Sequence, residues 1–126
     1  MSDQPSRFKD LVADAKRRVK EVTVEEVRER LKRGDNLQLV DVREESEWLQ
    51  GRAASAVHLG KGVIERDIEK RFPKTDTELV LYCGGGSRSA LAADNLQKMG
   101  YTKVLSLIGG FKSWRDSGSP VETGPA

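Results

Sequence analysis

Glu78-Leu79-Val80-Leu81-Tyr82, running on into Cys83-Gly84-Gly85-Gly86-Ser87-Arg88-Ser89, is the stretch that decides the fold. Its first five residues are almost wholly apolar and stop at a glycine run, as in a strand buried on both faces. From Ser87 to Met99, Ala90, Leu91, Ala93 and Leu96 mark a helix, which Gly100 terminates. Buried strand, glycine loop and helix in that order point to a mainly parallel sheet covered by helices on both faces. In such sheets ligands sit beyond the carboxyl ends of the strands, where Cys83 stands.

The same loop carries the chemistry. Gly84, Gly85 and Gly86 remove every side chain between Cys83 and Ser87, so several backbone N–H groups can turn toward one spot. The N-terminus of the following helix adds its free amides and positive dipole, and Arg88 adds a permanent charge. Each feature favours a thiolate over a thiol whose ordinary pKa is about 8.5. Two readings of Cys83 compete: a reactive nucleophile, or a buried structural cysteine after a core strand. The glycine run has no packing use and costs backbone entropy, which favours the nucleophile. His58, the one histidine, is either a Cys–His partner or a half-buried residue at a strand end. A thiolate held by amides, without a general base, suits sulfur transfer, in which the thiolate attacks a sulfane sulfur and the loop holds the resulting persulfide.

Outward from the loop, strands and helices alternate. Phe8, Leu11, Val12, Ala15 and Val19 predict an amphipathic helix in residues 6–20, with a basic face of Lys16, Arg17, Arg18 and Lys20. Thr23-Val24-Glu25-Glu26 reads as a capping box, followed by a buried stripe of Val24, Val27 and Leu31 and a stop at Gly34. Leu37–Val42 reads as a strand, Glu44–Gln50 as a short helix ending at Gly51, and Ala56–Leu59 as a second strand. Val63, Ile64 and Ile68 mark a helix that cannot pass Pro73. Lys103–Leu107 is the last strand and Gly110–Ser117 the last helix. Gly118 to Ala126, rich in Gly, Pro and Ser, reads as loose. The division expected is an N-terminal helix (1–20), one domain (21–121) and a flexible tail (122–126).

Composition narrows the function. A chain of 126 residues makes one domain. Its net charge of +2 is unevenly spread: residues 1–33 hold ten Lys/Arg against seven Asp/Glu, and the remainder twelve against thirteen. Acids and bases interleave as on a solvated surface, which argues against nucleic acid as a partner. No apolar run is long enough for a membrane span, and Met1–Pro5 has no secretory signal, so the expected location is the cytoplasm. One cysteine and one histidine exclude an internal disulfide and a zinc site of three or four protein ligands.

Several motifs together resemble the rhodanese family of sulfurtransferases, from about Val22 to Val121. Leu39-Val40-Asp41-Val42-Arg43, then Glu47, is similar to the family's D-x-R…E element. Gly51-Arg52-Ala53-Ala54-Ser55-Ala56 resembles its G-H-I-x-G-A turn, Tyr82-Cys83 through Arg88-Ser89 its active-site loop, and Gly109-Gly110-Phe111 with Trp114 its closing G-G-x…W element. The resemblance implies a rhodanese-like three-layer α/β fold with a central five-stranded, mainly parallel sheet. It also implies a persulfide carried on Cys83, and a loop from Gly84, Gly85, Gly86 and Ser87 to Arg88 that binds substrate. No cofactor and no metal is implied. The donor would be a small sulfur-donor anion or a protein persulfide; the acceptor stays open. An interaction module with a redox-sensing or incidental cysteine is the alternative. Phosphatases related to this fold place five residues between Cys and Arg, whereas four separate Cys83 from Arg88. Two residues depart from the pattern. Arg52 replaces the turn's His; it either adds positive potential near the loop or, as expected, lies at the surface. Ser55 replaces its second Gly and suggests a different backbone there. Arg88 either faces substrate or pairs with Asp41 or Glu47. Asp41, Arg43 and Glu47 are expected to form a structural ion-pair group, with Trp48 and Trp114 as core or pocket-wall residues.

Overall fold

A computed structural model of the protein describes residues 6–125. Met1–Pro5, whose polarity argued against a secretory signal, and Ala126 lie outside the described residues. In chain order the elements are α1 (Arg7–Lys16), β1 (Lys20–Val22), α2 (Val24–Lys32), β2 (Gln38–Asp41), α3 (Glu45–Gln50), β3 (Arg52–Ala53) and β4 (Val57–His58). There follow α4 (Ile64–Arg71), β5 (Leu79–Tyr82), α5 (Ser87–Lys98), β6 (Val104–Leu107), α6 (Gly110–Asp116) and β7 (Val121–Glu122). Five strands form one parallel sheet in the order β1-β6-β5-β2-β4. Among the described residues no helix is long and apolar enough to cross a membrane.

Alternation along β5 explains why that strand is apolar throughout. Leu79 and Leu81, with Cys83 continuing their row, join a core with Ile64, Ile68, Ala93 and Leu96 from α4 and α5. Val80 and Tyr82 point the other way, into a core with Val24, Val27, Phe111 and Trp114 from α2 and α6. Each face of the sheet is thus covered, and Cys83 belongs to the α5 side.

Two expectations are corrected. The first helix ends at Lys16, and Lys20–Val22 instead pairs with Leu105–Leu107 as an edge strand. Val19 and Val22 fall in different cores, which strand alternation requires and a continuous helix does not. Arg18 leaves the basic face to clamp Asp94 of α5, with Nε and Nη2 2.9 and 2.8 Å from its two oxygens. The helix packs on α5 through Val12 and Ala15, while Phe8 and Leu11 stay exposed, as does Leu31 on α2.

Second, the chain's end is tied down where looseness was expected. Val121 and Glu122 pair antiparallel with Ala53 and Arg52, and the Gly124 N–H donates to the Leu49 carbonyl. Arg52 is the reason. Far from being a surface residue, it is buried, its guanidinium 4.4 Å from the Trp48 ring, donating to the carbonyls of Trp48 and Gly124. A buried guanidinium needs acceptors, and the returning tail supplies one.

Ser55 stands at a tight turn. It takes the left-handed conformation itself, at φ 69°. That conformation costs an L-residue about 1–2 kcal/mol, part of which glycine recovers through relief of strain. Ser55→Gly is therefore expected to stabilise the protein by about 0.5–1 kcal/mol, seen as a higher urea midpoint at unchanged slope.

Candidate active site

The loop after β5 curls around the sulfur of Cys83. The Gly86 N–H donates to Sγ at 3.1 Å, and the Ser89 hydroxyl lies 3.6 Å away. Gly86 reaches this position at φ 104°, a conformation that disfavours any residue with a Cβ. Ser89 Oγ is in turn 2.8 Å from Ser106 Oγ on β6, and both hydroxyls are fully buried. When Sγ is anionic, Ser89 can turn its proton to the sulfur while accepting from Ser106.

Burial of Cys83 works against the charged form. The Ser89 hydroxyl and the amides of Ser89, Gly86 and Gly85 outweigh it, so the thiol lies below its ordinary pKa. His58 is elsewhere: its Nε2 is 2.8 Å from the Arg43 carbonyl and its ring stacks on Trp48. Among the described residues, the hydrogen-bonding neighbours of the sulfur are the loop amide and the serine, not an acid–base side chain. Cys83 is only 1% exposed, so a reacting group must present a small terminal atom.

What holds the loop open to sulfur is the start of α6. The Phe111 and Lys112 amides donate to the Cys83 and Gly84 carbonyls at 2.7 and 3.2 Å. With its carbonyls turned outward in this way, the loop is left to point amides inward. Gly110 permits the approach: its φ is +54°, and a Cβ there would run into the Cys83 carbonyl oxygen and the backbone of Gly84. Sequence reasoning singled out the Gly109-Gly110 pair through its resemblance, and missed Ser89 as a partner of the sulfur and Ser106 as the partner of Ser89. A lone serine in the apolar strand Val104-Leu105-Ser106-Leu107 was the available signal, since a buried hydroxyl needs a partner.

Arg88 turns to Glu47. Its Nη1 and Nη2 donate to the two carboxylate oxygens at 2.9 and 3.1 Å, and Nη2 would be 3.3 Å from a Cβ on Gly84. The Arg88 guanidinium outweighs partial burial and holds the Glu47 carboxyl at about 2. Ser87 opens α5 beside it. Asp41 and Arg43 form a separate, buried pair: Arg43 Nη2 is 2.8 Å from Asp41 Oδ2 and also donates to the Gly51 carbonyl, while its guanidinium lies 4.4 Å from the Phe111 ring. Asp41 and Arg43 thus anchor the chain beneath the site. Trp48 and Trp114 are both buried, and the Trp114 N–H donates to the Pro120 carbonyl at 2.8 Å. A groove of about 880 Å³ runs between α2, the start of β2 and the end of α6; Trp114 and Pro120 line it, and no residue of the Cys83 loop does.

Comparison with known proteins places the fold and the family. A sulfurtransferase of Allochromatium vinosum is 35% identical over 103 residues, which cover 82% of this chain and 94% of that protein. Among solved structures, a protein of unknown function from Rhodopseudomonas palustris, described as a possible tyrosine phosphatase, superposes with a TM-score of 0.84 at 31% identity, covering 97% of this chain and 99% of that one. A thiosulfate sulfurtransferase from Pseudomonas aeruginosa gives a TM-score of 0.77 at 31% identity, covering 84% of this chain and 20% of that longer one. The model of the rhodanese-like domain matches residues 23–117. That span takes in four strands of the parallel sheet, the Cys83 loop and all of α6, and the chain belongs to the rhodanese-like domain family.

Proposed function

We propose that the protein is a sulfurtransferase that moves a sulfane sulfur from a donor to a nucleophilic acceptor through a persulfide on Cys83. The observation that carries this reading is the sulfur's surroundings: a backbone amide at 3.1 Å, a serine hydroxyl at 3.6 Å, and no acid–base residue bonded to it among the described residues. Such a nest stabilises an anion without shuttling protons. With thiosulfate as donor, the thiolate attacks the outer sulfur, the S–S bond breaks, and sulfite leaves with its electron pair. The product, Cys83–S–S⁻, keeps one negative charge for the same amides to hold. An acceptor such as cyanide then takes the terminal sulfur as thiocyanate and returns the thiolate. The natural donor in this reading is a small sulfur-donor anion or a protein persulfide, used in the cytoplasm, where a lone thiol stays reduced.

Phosphate-ester hydrolysis, which the description of the Rhodopseudomonas relative suggests for that protein, fits less well here. Four residues separate Cys83 from Arg88, and Arg88 is bound to Glu47 and not turned to the loop centre. The test is intact mass after incubation with thiosulfate. A gain of one sulfur, discharged by cyanide as thiocyanate, is the expected result. No gain from thiosulfate, mercaptopyruvate or a protein persulfide, or hydrolysis of an aryl phosphate that depends on Cys83, would overturn the reading.

A further inference from the structure

The charges at the loop mouth add up in an unexpected way. Arg88 is the cation nearest the anion nest in sequence, yet both of its terminal nitrogens are engaged by Glu47. The pair is not deeply buried: the side chains are 35% and 36% exposed, so an incoming donor meets them together. Arg88 Nη2 also lies against Gly84, which places the pair beside the loop that wraps the sulfur. Glu47 is held in place by its own helix, since its Oε1 also accepts the Glu44 N–H at 3.0 Å at the N-cap of α3. Thiolate, guanidinium and carboxylate together carry one net negative charge, and Glu44 stands close by at the start of α3. A dianion approaches this mouth against repulsion, whereas a thiol persulfide that reacts as R–S–SH carries no charge at its reacting end.

We infer that Glu47 is a specificity-determining residue: by neutralising Arg88 beside the Cys83 loop, it turns the site away from dianionic donors such as thiosulfate and toward persulfides. This rests on the sulfurtransferase reading above. The chemistry is the same for either donor. A thiol persulfide, R–S–SH, gives its outer sulfur and proton to Cys83 and leaves as R–S⁻; thiosulfate gives its outer sulfur and leaves as sulfite. Only the charge that must reach the nest differs.

Glu47→Gln keeps an oxygen to accept the Glu44 N–H but frees the positive charge of Arg88. The experiment compares the rates at which thiosulfate and cysteine persulfide load sulfur onto Cys83, read by intact mass, in the wild type and in Glu47→Gln. The thiosulfate rate is expected to rise about tenfold or more relative to the persulfide rate, and to become sensitive to salt. Arg88→Gln alone, which leaves the Glu47 carboxylate unneutralised at the mouth, should move that ratio the opposite way. A loop merely loosened by the substitution would slow both donors together. Loading with an unchanged or lower ratio overturns the inference alone. Absence of loading from either donor in both proteins overturns the sulfurtransferase reading and this inference with it.

Discussion

Cys83→Ser is expected to bring sulfur loading down by about 10⁴-fold or more, to background, while the protein remains folded. The hydroxyl is smaller than the thiol and close in shape, so the core it shares with Leu81, Ala93 and Leu96 loses little. The chemistry is lost because a serine hydroxyl stays protonated. The nest that draws Cys83 toward its thiolate has one amide at 3.1 Å and one hydroxyl at 3.6 Å, far short of what a serine alkoxide would need. Intact mass with thiosulfate reads the loss, and circular dichroism with a urea melt checks the fold. In the wild type, alkylation by iodoacetamide should reach half its maximal rate at a lower pH than it does for a free thiol under the same conditions, because the Ser89, Gly86 and Gly85 donors outweigh burial. A Ser variant that still accepts sulfur, or a wild-type thiol titrating no lower than a free thiol, would count against Cys83 as the carrier.

Gly110→Ala should damage the site from outside it. Gly110 touches no substrate, but its added Cβ would occupy the space of the Cys83 carbonyl and the Gly84 backbone. The chain must also hold alanine at φ +54°. Left-handed strain and overpacking together are expected to cost about 3 kcal/mol of stability. Relief can come only from a shift of α6 away from the loop, which breaks the Phe111 and Lys112 hydrogen bonds to Cys83 and Gly84. The loop carbonyls then compete for the inside, and sulfur loading is expected to fall about 100-fold, in line with the loss of a positioned anion-binding donor. Gly62→Ala is the control, since a Cβ there meets nothing within 4 Å. Gly110→Ala that loads sulfur at the Gly62→Ala rate would show that α6 does not shape the nest.

The identity of the loop and its place in the fold were readable in the residues themselves. Leu79–Tyr82 could be little other than a strand covered on both sides, and Ser87–Lys98 carries helical periodicity over three turns. Both are local signals, so the βα unit and the position of Cys83 at its turn follow without knowledge of the rest. The capping box at Thr23 is local too, and the structure closes it from both sides; at Glu44 the Glu47 carboxylate accepts the N-cap amide, a contact the sequence reading did not include. Where two local patterns coincided, the residues alone did not decide. Val12, Ala15 and Val19 fit a helix, but Val19 and Val22 also fit a strand. The free edge of β6 settled the matter by offering backbone partners to Lys20–Val22.

The rest depended on neighbours distant along the chain. Arg52 looked like a surface residue until the returning tail supplied the Gly124 carbonyl, 72 positions away, to its buried guanidinium. Ser106 became the partner of the Ser89 hydroxyl, which in turn faces the sulfur, only because β6 lies beside β5. Arg88 was left between substrate and an acid, and α3 decided it by holding Glu47 within bidentate reach across 41 positions. Hydrophobic periodicity is written every two or four residues and survives in a linear reading. The pairing of buried charges and hydroxyls depends on which surfaces the packed helices bring together, and only the folded chain determines that.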